Sequence, residues 1–239
     1  MRDPPGAHRA LSECETVTTP PLSTRAPVSC GFDLDLTLVD TRGRILASTV
    51  AAFADLGVDV AEGEVVPFLG YPLTVKAAEL APAIDPAVFV TRYRHHYAMG
   101  HLAPCEAMAG AVEALRTVRE AGHRVVVVSA KLDRLVRETL AGAGLEQLVD
   151  AVHGELFAAG KGPALAAERA WAYLGDHPGD MAAAGHAGAV AVGVSTGAHG
   201  AAALRDAGAT AVLADLTEFP AWYADHASGA TLKLDELAN

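Results

Sequence analysis

Aromatic residues make up only 5% of the 239-residue chain, lysine occurs four times, and the three cysteines stand far apart. Each scarcity excludes something. With so few rings, the core has to be assembled mainly from Ala, Val and Leu. Cys14, Cys30 and Cys105 are odd in number and show no CxxC spacing. Neither a disulfide framework nor a cysteine zinc site follows, and a reducing cytoplasm is the expected location. Basic residues are outnumbered 18 to 29, for a formal net charge of −11. That leaves no clustered Lys and Arg to neutralise a nucleic-acid backbone, although one small anion needs only a few cations and backbone amides. Leu-rich runs are missing too. Met181 to Leu204 contains no Asp, Glu, Lys or Arg, but Ala and Gly dominate it and His186, Ser195, Thr196 and His199 interrupt it, so no membrane helix is expected. Residues 1–27 have no apolar segment, and Thr18 to Pro27 is rich in Thr, Pro and Ser. They read as a disordered leader, not a signal peptide.

What is present points to a folded enzyme-sized domain: 51% hydrophobic and 20% charged residues. Apolar runs at Val28 to Phe32, Val125 to Val128, Val149 to His153, Ala172 to Gly175, Ala189 to Val194 and Thr210 to Ala214 read as strands buried on both faces. Helical spacing over Asp133 to Ala143, Pro163 to Arg169, Gly179 to Ala187 and Gly200 to Ala207 alternates with them. This is the signature of an α/β fold, a doubly wound, Rossmann-like parallel sheet. Residues 40–104 interrupt the alternation. Ala47 to Leu56, Leu73 to Leu80 and Pro86 to Met99 carry helical spacing there, and about 65 residues are too many for a crossover. A small α-helical cap inserted into a core of residues 28–39 and 105–239 is expected. The tail after Pro220 is expected to be a short helix or coil.

In an open parallel sheet, ligands bind beyond the carboxyl ends of the strands. The first strand is followed by Asp33, Asp35 and Thr37, the second by Ser129, Ala130 and Lys131, and the Ala172 to Gly175 strand by Asp176, His177 and Asp180. Lys161 lies between the last two, flanked by Gly160 and Gly162. Together they suit phosphoryl transfer. Asp33 can attack phosphorus and form an aspartyl phosphate. Asp35 can protonate the leaving alkoxide and then deprotonate water. Crowded carboxylates invite a hard cation such as Mg²⁺, with Asp33 and Asp176 as side-chain ligands. Ser129 and Lys161 are placed to hold phosphate oxygens.

The constellation resembles the haloacid dehalogenase superfamily, in particular its phosphoglycolate-phosphatase-like branch with a small helical cap. Asp33, Asp35 and Thr37 match that family's Asp-x-Asp-x-Thr; Ser129 matches its second motif, Lys161 its third, and Gly175, Asp176 and Asp180 its fourth. The resemblance implies Asp33 as nucleophile and metal ligand, and Asp35 as acid/base with its backbone carbonyl on the metal. It also implies Asp176 as metal ligand and Asp180 as support behind it. Thr37, Ser129, Ala130, Lys131, Lys161 and Gly70 are the expected phosphate and substrate contacts. Two departures stand out: Ala130 where relatives often have Asn, and His177 where they often have Ser or Thr.

The expected activity is Mg²⁺-dependent hydrolysis of a small phosphorylated metabolite such as phosphoglycolate or a sugar phosphate, by a monomer or homodimer without nucleic-acid or membrane partners. A sugar phosphomutase of the same family is the alternative. Less favoured are a phosphonatase, which would need Lys76 as a Schiff-base amine, and a receiver module, which would carry its phosphorylated Asp after the third strand. Plainer roles exist for single residues: Ser129 as a helix cap, Lys131 as a solvated helix start, Lys161 as a loop lysine, Asp180 as a cap. Gly70, Tyr71 and Pro72 read as a turn between cap helices. His95, His96, His101 and Cys105 fit no standard zinc spacing.

Overall fold

The computed structural model describes residues 28–99 and 105–236, with side chains described to Ala227. The leader and His101 lie outside those residues. The strands are β1 (Ser29–Phe32), β2 (Val39–Asp40), β3 (Glu106–Ala107), β4 (Arg124–Val128), β5 (Ala151–His153), β6 (Ala170–Gly175), β7 (Val190–Val194) and β8 (Ala211–Leu213). The helices are α1 (Arg42–Ala54), α2 (Glu62–Val65), α3 (Leu73–Leu80), α4 (Pro86–Met99), α5 (Ala111–Glu120), α6 (Asp133–Gly142), α7 (Gly162–Ala167), α8 (Pro178–Ala187), α9 (Ala201–Asp206) and α10 (Phe219–Glu236). Among the described residues no helix is long and apolar enough to cross a membrane.

Six strands form one parallel sheet in the order β5-β4-β1-β6-β7-β8. Strand periodicity sends successive side chains to opposite faces, and both faces are covered. Val125 and Val127 of β4 join one buried cluster with residues of α5, α6 and α10. Val126 and Val128 join another with Leu165 of α7 and Met181, Ala183 and Ala184 of α8. Double burial explains why these strands are unbroken Val runs. The chain leaves β1 with β4 on one side and β6 on the other, so the loops after these three strands converge at one edge.

Several elements differ from the sequence expectation, the short helix α2 among them. Helix α5 is absent from it, although Ala111, Ala114, Leu115 and Val118 are buried at helical spacing. The antiparallel β2–β3 ribbon, two residues on each side, is too short to leave a periodic signal. Helix α10 runs 18 residues, longer than the short helix or coil expected of the tail. Its start is held by rings: Trp222 stacks on Trp171 with centroids 5.5 Å apart, and Phe219 packs on Phe32.

Helices α1, α3 and α4 pack around a separate apolar cluster that includes Phe53, Phe89, Tyr93 and Tyr97. Phe53 and Phe89 stack at 4.3 Å. Leu36, from the loop after β1, is buried in that same cluster, as is Leu135 of α6. Apolar side chains from the sheet's carboxyl edge therefore pack into the helical module.

Candidate active site

The loop after β1 is bent into a tight coil. The Asp33 amide bonds to Leu174 O at 2.8 Å, and the Leu34 carbonyl accepts from the amides of Thr37, Leu38 and Val39. Leu36 adopts a left-handed conformation, φ +62°, uncommon for a branched side chain. Burial of Leu36 and a 2.5 Å bond from Thr196 Oγ1 to its carbonyl hold it there. The coil leaves Asp33 and Asp35 projecting beyond the strand.

Asp33, Asp176 and Asp180 are all buried, and each offers an oxygen within 4.8 Å of the others. Lys161 is the cation among them. Its Nζ donates to Asp33 Oδ1 at 2.8 Å, Asp180 Oδ1 at 2.7 Å and the Tyr173 hydroxyl at 2.8 Å. An ammonium has three donors, and all three are used. The Tyr173 hydroxyl in turn donates to Val128 O at 2.8 Å. Burial pushes Lys161 down, but Asp180 and Asp33 outweigh it and hold the ammonium well above its ordinary range. The loop-lysine reading is thereby removed.

One ammonium does not balance three carboxylates. Burial raises Asp33 to about 7 against the pull of Lys161, with Asp180 and Asp35 adding to the rise. Asp176 is held well above the carboxylate range by burial, then by Asp33 and Asp180; among the described residues, its side-chain hydrogen bond comes from Thr37 Oγ1 at 3.3 Å. A concentration of hard, negatively charged oxygens with this excess fits a divalent cation. Two glycines make the cluster possible. A Cβ at Gly197 would stand 1.7 Å from Asp176 Oδ2, and one at Gly175 would stand 2.3 Å from Asp180 Oδ2.

Asp180 also accepts from the His177 amide at 3.1 Å, so it caps α8 while contacting Lys161. His177 accepts from the Gly179 amide through Nδ1 at 2.9 Å, which puts the ring proton on Nε2. Burial lowers His177 to about 4, and Nε2 has no partner among the described residues. Tyr71, Phe157 and His199 pack around this ring.

The Asp35 carboxyl group stands apart from the three acids. Lys131 Nζ donates to Asp35 Oδ1 at 2.5 Å and to the Tyr97 hydroxyl of α4 at 2.7 Å. Lys131 is thus a paired bridge between sheet edge and cap helix, which corrects the solvated reading. Ser129 is buried, its Oγ accepting from the Lys131 amide at 3.2 Å; α6 begins only at Asp133, so Ser129 is not its cap. Asp33, Asp35, Gly70, Ser129, Ala130 and Lys161 line one small cavity. A second cavity, of about 100 Å³, shares Asp35, Gly70 and Ala130 and extends under α3 and α4. Lys131, Tyr71 and Lys76 line this second space.

Tyr173 and Tyr97 carried no sequence signal as site residues and become relevant through their hydroxyls, whereas Tyr71, on the His177 ring, belongs to the turn that the sequence singles out with Gly70 and Pro72. His96 pairs with Asp55, just past the end of α1, at 2.9 Å. Among the described residues the cap histidines and Cys105 form no metal cluster.

Known proteins place this geometry in context. A protein of Dickeya dadantii described as "Probable phosphatase IndB" is 28% identical over 186 residues, 70% of this chain and 81% of its own length. The plasmid-encoded phosphoglycolate phosphatase of Cupriavidus necator is 30% identical over 126 residues, covering 50% of this chain and 54% of that protein. The crystal structure of "a predicted phosphatase" from Clostridium acetobutylicum superposes with a TM-score of 0.75 at 20% identity, over 84% of this chain and all of that one. The sequence model of haloacid dehalogenase-like hydrolases matches residues 31–194, the span that holds every acidic and lysine side chain of the cluster around Asp33, and the chain belongs to that family.

Proposed function

We propose that the protein is a Mg²⁺-dependent phosphatase that hydrolyses a small phosphomonoester through a phosphorylated Asp33, with residues 40–104 as cap and residues 28–39 and 105–239 as core. The observation that carries this reading is the contact of Asp33 with Lys161 inside a buried cluster of three acids, with Asp35 two residues further on. The names of the relatives support the same class of substrate.

Asp33 and Asp176 are the side chains that would hold the ion, with the Asp35 backbone carbonyl as a further oxygen and Asp180, held by Lys161 and the His177 amide, as support behind them. Bound there, Mg²⁺ offsets carboxylate charge and draws electron density from the phosphoryl oxygens. The remaining work falls to the chain. An Asp33 oxygen forms a bond to phosphorus as the ester oxygen leaves, and Asp35 gives that oxygen its proton. Asp35 then takes a proton from the water that attacks the acyl phosphate, releasing inorganic phosphate and restoring Asp33. Lys161 keeps Asp33 oriented and balances negative charge, the Ser129 hydroxyl donates to the phosphoryl group, and Lys131 holds Asp35. The cap excludes bulk water while the bond to Asp33 forms. The buried thiols of Cys30 and Cys105 accord with residence in a reducing cytoplasm.

The test is a single substitution. Asp33→Asn should lower kcat for a generic phosphomonoester by about 10³-fold or more. Exhaustive chelation should abolish wild-type turnover and added Mg²⁺ should restore it. Retained turnover in the variant removes the nucleophile assignment, and isomerised sugar phosphate in place of free phosphate identifies a mutase.

A further inference from the structure

The cavity of about 100 Å³ under α3 and α4 is walled by rings and aliphatic side chains. Three of the five tyrosines of this aromatic-poor chain, Tyr71, Tyr93 and Tyr97, stand in its lining, with Leu73 of α3 and Leu132 and Leu135 at the start of α6. Burial holds the Tyr93 and Tyr97 phenols above their ordinary range, so both rings are neutral. The one carboxylate of the lining, Asp35, is engaged by Lys131 at 2.5 Å and is assigned to the leaving oxygen. Sugar hydroxyls would find few acceptors among these side chains, whereas apolar surface gains by leaving water.

Lys76 is the exception in this apolar wall. It is 2% exposed and makes no hydrogen bond or ion pair with a described residue; its contact is with the face of the Tyr93 ring, 5.8 Å from the centroid. Burying an ammonium with no anion beside it opposes folding. The face of a ring is a partner that cations already use in this space, since Lys131 Nζ lies 4.7 Å from the Tyr97 centroid. The cavity shares Asp35, Gly70 and Ala130 with the space at Asp33, so it receives whatever the substrate carries beyond the ester oxygen. A single water needs about 10–15 Å³ of such space, so there is room for roughly seven to ten waters. A six-membered ring suits that volume, and one small anion would leave most of it unfilled.

We propose that this cavity takes an aromatic ring on the leaving-group side of the substrate, with Lys76 against the ring's face, so that the enzyme prefers phosphate esters of aromatic alcohols over those of sugars and of short hydroxy acids. The inference rests on the phosphatase reading and names its substrate class. Apolar walls favour any hydrocarbon of the right size; the buried ammonium favours one with π electrons over its saturated counterpart.

The experiment measures kcat/KM for benzyl phosphate, cyclohexylmethyl phosphate, glucose 6-phosphate and 2-phosphoglycolate, using the Mg²⁺-loaded wild type, Lys76→Met and Lys76→Arg. Benzyl and cyclohexylmethyl phosphate are matched in size and in the basicity of the leaving alkoxide, so their ratio reads the π face. The wild type should favour benzyl phosphate at least tenfold over glucose 6-phosphate and over 2-phosphoglycolate, and roughly 3- to 30-fold over cyclohexylmethyl phosphate. Lys76→Met should bring the benzyl-to-cyclohexylmethyl ratio to about one, mainly through KM, and Lys76→Arg should keep most of it, because a guanidinium also stacks on rings. The wild-type ranking requires no variant to fold. A wild type that favours glucose 6-phosphate or 2-phosphoglycolate overturns the inference. So does a benzyl-to-cyclohexylmethyl ratio that is the same in wild type and Lys76→Met, including the case in which kcat falls equally on all four esters, the mark of a structural lysine. Calorimetry on Asp33→Asn with benzyl and cyclohexylmethyl phosphate separates the two claims. Ring-selective binding that needs Lys76, without wild-type turnover, removes the phosphatase reading alone; turnover of all four esters without preference for the aromatic one removes the ring assignment alone.

Discussion

Asp176 illustrates how much of the candidate site depends on residues that contribute no functional group. Its Oδ2 occupies space that a Cβ at position 197 would fill, at 1.7 Å. An alanine β-carbon cannot rotate away, and it would also stand 2.6 Å from Asp176 Cγ and 2.8 Å from its Cβ, so Gly197→Ala should displace the Asp176 carboxylate while leaving the strands intact. The Mg²⁺ concentration for half-maximal activity should rise about 10- to 100-fold, the range seen when the support of a metal ligand is removed. Titration of activity with Mg²⁺, beside a circular dichroism spectrum, checks this. An unaltered titration curve would detach Asp176 from the ion. The motif acids 33, 35, 176 and 180 are legible in the sequence because each follows a recognisable strand. Gly197 is not, since its close approach joins two separate strand ends.

Helix α10 makes the corresponding point for elements. Its residues offer weak periodicity, and nothing in the tail's composition announces a long helix. The helix start packs on the sheet face through Phe219, Trp222 and Tyr223, all of which belong to the main buried cluster. Trp222 stacks on Trp171 of β6 with the rings 6° from parallel. Trp222→Ala should therefore destabilise the protein by about 3–5 kcal/mol, as for a large core aromatic, read as a lower urea midpoint at unchanged slope. A loss under about 1 kcal/mol would mean that α10 is an accessory to the fold. The missed α5 is different, because its buried Ala111, Ala114, Leu115 and Val118 follow the periodicity that identifies other helices; there the signal exists in the sequence. The antiparallel β2–β3 ribbon has none, since two residues per strand cannot display alternation.

Across the molecule, cap and core meet at a few polar groups. Lys131 is one, donating to Asp35 below and to the Tyr97 hydroxyl above, while Leu36 and Leu135 extend the cap's apolar cluster onto the sheet edge. Burial pushes Lys131 down, but Asp35 and Tyr97 outweigh it and keep the ammonium charged. If cap closure uses this bridge, Tyr97→Phe weakens the closed form without touching Asp33. The loss of one hydrogen bond to a charged group is about 1.5–3 kcal/mol, so kcat/KM should fall roughly 10- to 100-fold. Steady-state kinetics check it, and parameters equal to those of the wild type would show that closure is independent of the tie. The two-layer coverage of the sheet was readable from the Val runs, and so was the insertion of helices after the first strand. The bridge was not, because a lysine after a strand looks the same whether water or a tyrosine from a distant helix receives it.

Local chemistry along the chain was enough to specify the class of fold, the order of its motifs and the acids and lysine that gather at the sheet edge. Those follow from strand periodicity, from where a buried strand must end, and from the charge each side chain carries. Long-range packing settled which partner each charge has: Lys161 among Asp33, Asp180 and Tyr173, Lys131 between Asp35 and Tyr97, and Lys76 over the Tyr93 ring. Partnership depends on distances between segments that lie from 12 to 128 residues apart, and no pattern within one segment records them.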